Sequence, residues 1–209
     1  MKKTSILIIL FVFPLVAYLF FASGINNFGV LPTLNDQVKE LPLNKENVQF
    51  EDHISILSIL GSDLEFKKAN AFNLNQKIYK RFYEFKDFQF VVLVSESARL
   101  QVEAILSELE SLGDNSKWNF VYLEESQIQE LYSSLETVED LDANAATNHV
   151  FIIDKNRSQR GRTTEDEKHP LPSYDATSIA TLTNIMIDDV KILLAEYRLA
   201  LKRNNADRK

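Results

Sequence analysis

Cysteine is absent from this 209-residue chain. No disulfide, thiol nucleophile, CxxC redox pair, Cys-ligated zinc or iron–sulfur cluster, or CxxCH haem attachment can therefore be written for it. Glycine is scarce, with five residues at 24, 29, 61, 113 and 161. They cannot form a GxGxxG dinucleotide loop. Gly24 and Gly29 have P-loop spacing, but Val30 and Leu31 stand where Lys and Ser/Thr would be needed. The three histidines, His53, His149 and His169, are too scattered for a His-rich metal site. Positive charge is also short: 23 Lys and Arg face 30 Asp and Glu, for a net charge of −7. A general nucleic-acid binder is disfavoured on that balance, and no cofactor is expected.

What is present starts with hydrophobic density. Residues 6–22 form a run of 17 without a charge, preceded by Lys2 and Lys3. As a helix this run would reach roughly 26 Å, just under a ~30 Å hydrocarbon core. Pro14 would only kink such a span. An uncleaved anchor and a signal peptide both fit, since Ala22-Ser23-Gly24 offers a small-x-small site. The length favours the anchor. Either way the paired lysines stay on the cytoplasmic side and the remainder is exported; the anchor reading predicts a single-pass bacterial inner-membrane protein with a periplasmic domain. The expected organisation is an anchor (or signal peptide) over 1–24, a linker over 25–47 and one domain over 48–205. The linker reading rests on two prolines, two glycines and five asparagines in residues 23–47 with no apolar period.

The exported part alternates strand and helix patterns. Residues 53–60 read as a buried strand stopped by Gly61-Ser62-Asp63, with Asp63 able to cap a helix that runs to about Lys86. Residues 88–94 are the clearest strand. Ser95 or Ser97 would cap a helix over 98–112, with Leu100, Ala104, Ile105, Leu109 and Leu112 on its apolar face. A strand over 118–123, a helix from Ser126, an acidic stretch and a polar loop ANAATN follow. Residues 149–154 make another strand, 157–162 return as an edge strand, 163–174 form a loop, and Asp175 caps a last helix over 176–203. Strands alternating with helices indicate a parallel sheet covered on both faces; the late strand–turn–strand adds an antiparallel edge. The combination predicts an α/β fold of thioredoxin-like type, a central mixed sheet flanked by helices and preceded by one N-terminal transmembrane helix.

The chain resembles the Sco/SenC group, membrane-anchored thioredoxin-fold proteins associated with copper delivery to cytochrome oxidase. Three features carry the resemblance. They are the Lys-Lys anchor with Asn26-Asn27-Phe28 and Leu31-Pro32, the strand-to-turn segment Ile54–Asp63, and Phe151-Ile152-Ile153-Asp154-Lys155 followed by Arg160-Gly161. The departures concern chemistry. The family uses a CxxxC pair after the first core strand and a histidine shortly before the late strand. Here the first place carries Gly61, Ser62 and Asp63, a degenerate active-site position, and Ala146 aligns with the histidine. The proline that many thioredoxin folds place before that strand is missing too. The resemblance therefore implies no copper site, and Cu(I) would find only Met1 and Met186 as soft ligands.

Several side chains invite a functional reading beside a plainer one. His149 is a metal ligand or a core histidine; His53 and His169 fit a strand start and a solvated loop. Ser62 lacks any elbow motif, and capping accounts for Asp63. Arg157, Arg160 and Arg162 form a basic cluster that could dock an acidic partner or lipid headgroups, or protect an edge strand. Glu136, Glu139, Asp140 and Asp142 lack the EF-hand pattern and read as a solvated loop. Arg198, Lys202 and Arg203 suit a helix C-terminus with or without a partner. The expected role is a non-enzymatic, redox-inactive module that is tethered to the membrane, binds an unknown protein partner and is linked to respiratory-oxidase biogenesis. The alternative is a metal carrier or enzyme using Ser62, Asp63 and His149.

Overall fold

Alternation along four strands divides the core into two layers. In the computed structural model, the backbone is described for residues 3–22, 29–62, 64–65, 67–163 and 171–206, and the side chains over the same stretches except 3–8, 20–22 and 201–206. Asn26-Asn27-Phe28, Asp63 and His169 lie outside the described residues, as do the side chains of Lys202 and Arg203.

Helix α1 spans Lys3–Ala22. Strand β1 (Thr33–Asn35) is followed by β2 (Ile54–Gly61). Helix α2 starts with Lys68–Leu74, continues as a π-helical turn Asn75–Tyr79, and ends with Lys80–Phe82. Next come β3 (Phe88–Ser95), α3 (Arg99–Ser111), β4 (Trp118–Leu123), α4 (Glu125–Tyr132) and β5 (His149–Ile153). The short strands β6 (Gln159–Arg160) and β7 (Tyr174–Asp175) precede the last helix, α5. It comprises Ile179–Thr181, a π-helical turn Leu182–Met186, and Ile187–Ala206.

The sheet order is β1-β6-β5-β2-β3-β4, with β7 also paired to β5. β2, β3 and β4 are parallel, whereas β5 runs antiparallel to β2, and β6 to β5. Ile54, Ile56, Phe88, Phe90, Val92, Phe120, Val150 and Ile152 point to the face covered by α2, α3 and α5. Leu57, Ile59, Val91, Leu93, Val121, Phe151 and Ile153 point to the other, which α4 covers. With only eight residues, α4 is too short to cover that face by itself. Val38, Leu41 and Phe50 complete the layer.

That layer corrects the linker reading of 25–47. From Leu31, which is 2% exposed, the chain belongs to the body. β1 pairs antiparallel with β6, and the Glu40 carboxylate accepts the backbone N–H groups of Leu41, Phe50 and Glu51. The segment lacks an apolar period because it is irregular, yet it buries single large side chains against the sheet. For the same reason β6 is not an edge: β1 covers it.

Local details differ where tertiary packing or backbone capping prevails. α2 begins at Lys68 with Lys67 at the N-cap, four residues later than expected. α3 follows a 3₁₀ turn, Glu96–Ala98, and buries Val102, Ile105 and Leu109, while Leu100 is 80% exposed. α4 starts with a reciprocal capping box between Glu124 and Gln127, and Ser178, not Asp175, caps α5. Asp175 instead holds the turn, accepting from the Thr177 backbone N–H and hydroxyl.

α1 exposes Ile9, Leu10, Phe11, Phe13, Leu15 and Tyr18. Among the described residues, no helix is long and apolar enough to cross a membrane.

Candidate functional site

The carboxyl ends of parallel strands are where open α/β sheets place ligands, because helix N-termini and loops converge there. β2 reaches that end at Gly61, whose φ of +63° favours glycine. A Cβ on Gly61 would lie 1.9 Å from the Asn144 carbonyl oxygen, so the loop before β5 rests directly on the turn. The Ser62 backbone N–H donates to the same oxygen at 2.9 Å, and its hydroxyl donates at 3.4 Å. One step further, the Thr147 N–H donates to Ile59 O at 3.0 Å. The loop is shaped by Asp142, whose Oδ1 accepts the N–H groups of Asn144 at 2.9 Å and Ala146 at 3.0 Å.

Lys67 closes the arrangement. Its Nζ lies 2.9 Å from Asn148 Oδ1 and 3.3 Å from Asp142 Oδ2, with its side chain only 13% exposed. Asn70 Nδ2 donates to the same Asn148 oxygen at 3.0 Å. The polar oxygens at this end of the sheet thus already face an ammonium. Asp142 is exposed, as expected of a solvated carboxylate, and it also holds the loop and pairs with Lys67. Ala146 is buried. Among the described residues there is no group of three or more His, Asp and Glu positioned for a metal ion.

Alternation along β5 sends His149 to the face of Phe151 and Ile153, away from α2 and Lys67. Its Nδ1 lies 2.9 Å from Ser173 Oγ and its Nε2 lies 3.8 Å from Glu139 Oε2. The trio has the residue types of a nucleophilic triad, but Ser173 is 1% exposed, and 3.8 Å is beyond hydrogen-bond reach. Ser62 meets a carbonyl rather than a base. His53 Nδ1 contacts Glu51 O at 2.8 Å at the other end of the sheet. The convergence of Ser62 and His149 that a carrier or enzyme would require is therefore not formed.

The arginine cluster divides, correcting the docking reading. Arg160 is 4% exposed. Its Nη1 donates to Asp154 at 2.8 Å, its Nη2 to Glu196 at 2.7 Å and its Nε to Leu31 O at 2.9 Å. Burial alone would lower its pKa, but the bonds to Asp154 and Glu196 prevail and hold it above the usual arginine value. Arg162 forks onto Asp189, which also accepts from Tyr174 OH at 2.8 Å. Arg157 and Arg162 are both half-exposed; of the two, Arg157 sits at a positive φ in the β5–β6 turn, and Arg162 is engaged by Asp189. Arg160 is pinned inside the fold because β6 is sandwiched between β1 and β5, while Arg162, just past β6, is held at the rim by Asp189 of α5.

Lys67, Asn70 and Asn148 were not singled out from the sequence. A signal existed: a lysine six residues after the glycine ending β2, and an Asp–Asn-rich loop directly before a strand that pairs with β2. Linking them requires knowing that pairing.

Three parallel strands, an antiparallel β5–β6 hairpin, helices on both faces and the turn after the first core strand define a thioredoxin-like α/β protein, here without a thiol at its turn. Its structural neighbours are Sco/SenC proteins. A SCO1/SenC family lipoprotein from Bacillus anthracis superposes with a TM-score of 0.55 at 16% identity, covering 79% of this chain and 99% of that one. BsSco, a member of the Sco family of cytochrome c oxidase assembly proteins, superposes with a TM-score of 0.51 at 12% identity, covering 78% and 95%. No protein-family model and no curated protein matches the sequence. At these identities the shared property is the fold.

Proposed function

We propose that the chain is a membrane-tethered, extracytoplasmic Sco/SenC-type protein that has retained the scaffold without its thiol and copper chemistry, and that works as a binding module in oxidase assembly. The observation that carries this reading is the covered turn. Where the family resemblance would place a metal and two thiols, the Asn144 carbonyl sits on Gly61, and Lys67 supplies the cation for Asp142 and Asn148. A fixed ammonium disfavours a second cation there through like-charge repulsion. The description of BsSco as an assembly protein supports the coarse role. The uncharged run 6–22 behind Lys2 and Lys3, with its exposed apolar side chains, supports the tether and its orientation. An unknown protein partner is part of the proposal, as is the periplasmic location.

Two measurements test it. Membranes of cells lacking the protein should lose cytochrome oxidase activity and regain it when the cysteine-free chain is restored. Full-length protein in mild detergent should fail to compete with a colorimetric chelator for Cu(I). Unchanged oxidase activity in the deletion would remove the assembly role, and one tightly held copper per chain would remove the metal-free one.

A further inference from the structure

The opposite end of the sheet carries a cleft unrelated to the covered turn. Ile54 at the start of β2 and Phe88 at the start of β3 form its floor, and Leu194 and Tyr197 of α5 form one wall. The cleft encloses about 340 Å³, within the range of small-molecule sites. A second hollow of about 150 Å³ adjoins it, and Phe85, Leu194 and Arg198 line both.

Its walls are held in place. Lys155 bonds to Asp87 and lies 5.8 Å over the Tyr197 ring. That bond, larger in effect than the partial burial of Asp87, keeps the Asp87 carboxyl below its ordinary pKa, so this rim anion is already neutralised. Lys117 Nζ donates to the Phe85 carbonyl and fixes the turn carrying the aromatic ring. Tyr197 OH accepts from Asn156 at 3.3 Å. Phe85 nevertheless stays 39% exposed. Among the described residues, the Arg198 guanidinium and the Lys86 ammonium have no ion-pair partner, and Glu84 is the one rim carboxylate left over. An acidic chain has thus placed an exposed guanidinium on the lining of a cleft that the Phe85 and Tyr197 rings also line.

We infer that this cleft binds a small amphipathic monoanion, with a carboxylate head forked onto Arg198 and supported by Lys86, and an apolar or aromatic body against Phe85 and Leu194. Arginine suits a planar carboxylate because its N–H groups match both oxygens.

The test uses full-length protein in a neutral detergent and 3-phenylpropionate as the probe, titrated by calorimetry with empty micelles subtracted. The uncharged 3-phenylpropionamide is the matched control. Saturable one-site binding of the carboxylate is expected, with the amide at least tenfold weaker. Arg198→Gln and Phe85→Ala should each weaken the carboxylate at least tenfold, while Lys68→Gln, beside the covered turn, should leave it unchanged. Arg198 is exposed, so unchanged Trp118 emission will show that its variant folds. Absence of saturable binding, equal binding of the amide, or full binding by Arg198→Gln would each overturn the assignment. None of these results bears on the oxidase and copper measurements.

Discussion

Replacing Arg160 by methionine separates a buried structural charge from a docking residue. The side chains of Arg160 and Asp154 are 5% and 2% exposed, so the pair is removed from water. Arg160→Met leaves Asp154 Oδ2 and the Leu31 carbonyl without their donor, whereas Glu196, 31% exposed, can turn to solvent. Asp154 Oδ1 keeps the N–H groups of Asn156 at 2.9 Å and Ser158 at 3.0 Å, which limits the damage. Breaking one side of a buried pair costs about 3–5 kcal/mol, and the retained bonds point to the lower end, about 3 kcal/mol. With a urea m-value of about 2 kcal/mol/M, the midpoint should fall by about 1.5 M. Trp118, the single tryptophan and 6% exposed, reports the transition by fluorescence. Asp154→Asn combined with Arg160→Met should recover part of the loss, because no uncompensated buried charge then remains. A midpoint shift under about 0.5 M for Arg160→Met would refute the reasoning and return Arg160 to the surface.

Three further outcomes are expected. Leu41→Ala should destabilise the domain by about 2–5 kcal/mol in the same urea assay, since Leu41 is buried against the α4 face of the sheet; an effect near zero would return that part of residues 25–47 to a linker. Gly61→Ala forces a left-handed φ of +63° on alanine and drives its Cβ into Asn144 O, so the loop must lift. Hydrogen exchange at the Ser62 and Thr147 amides should accelerate at least tenfold, and unchanged protection would count against the covered turn. The Asp87 carboxyl is held below its ordinary 3.8, chiefly by the Lys155 hydrogen bond. A depressed carboxyl contributes stability above its unfolded pKa and loses it as pH falls through the folded one. The stability deficit of Lys155→Met should therefore shrink between about pH 5 and about pH 2. A pH-independent deficit would assign Lys155 to packing against Tyr197.

Segments with strong period were legible in the sequence. Residues 118–123 read as a strand because WNFVYL is aromatic and β-branched, and they form β4 without any shift in boundary. Leu182, Met186, Val190 and Leu193 read as one helical stripe and are all buried. The lead-in was illegible because Val38, Leu41 and Phe50 are spaced irregularly, and their burial depends on a sheet face that a short α4 leaves open. The candidate site was half-legible. Gly61-Ser62 marked the turn, but Lys67 and Asn148 meet across 81 residues of chain.

By its own composition the sequence determined the missing chemistry: without cysteine, no arrangement of this chain can form a thiol pair, whatever its fold. Its periodicities also determined the α/β class, because burial of alternating and 3.6-residue stripes is a local property of the chain. Only the tertiary structure decided what the remaining polar residues do. Arg160 and Arg162 look like an exposed basic edge until β1 covers β6 and α5 brings Glu196 and Asp189 over them. His149 and Ser62 are candidates for one site until strand alternation sends the histidine to the opposite face. The physical reason is the same in both cases: charge and hydrogen-bonding partners are chosen in space, and, the local Asp154–Arg160 pair aside, the side-chain contacts that hold the two arginines lie 27 to 129 residues apart along the chain.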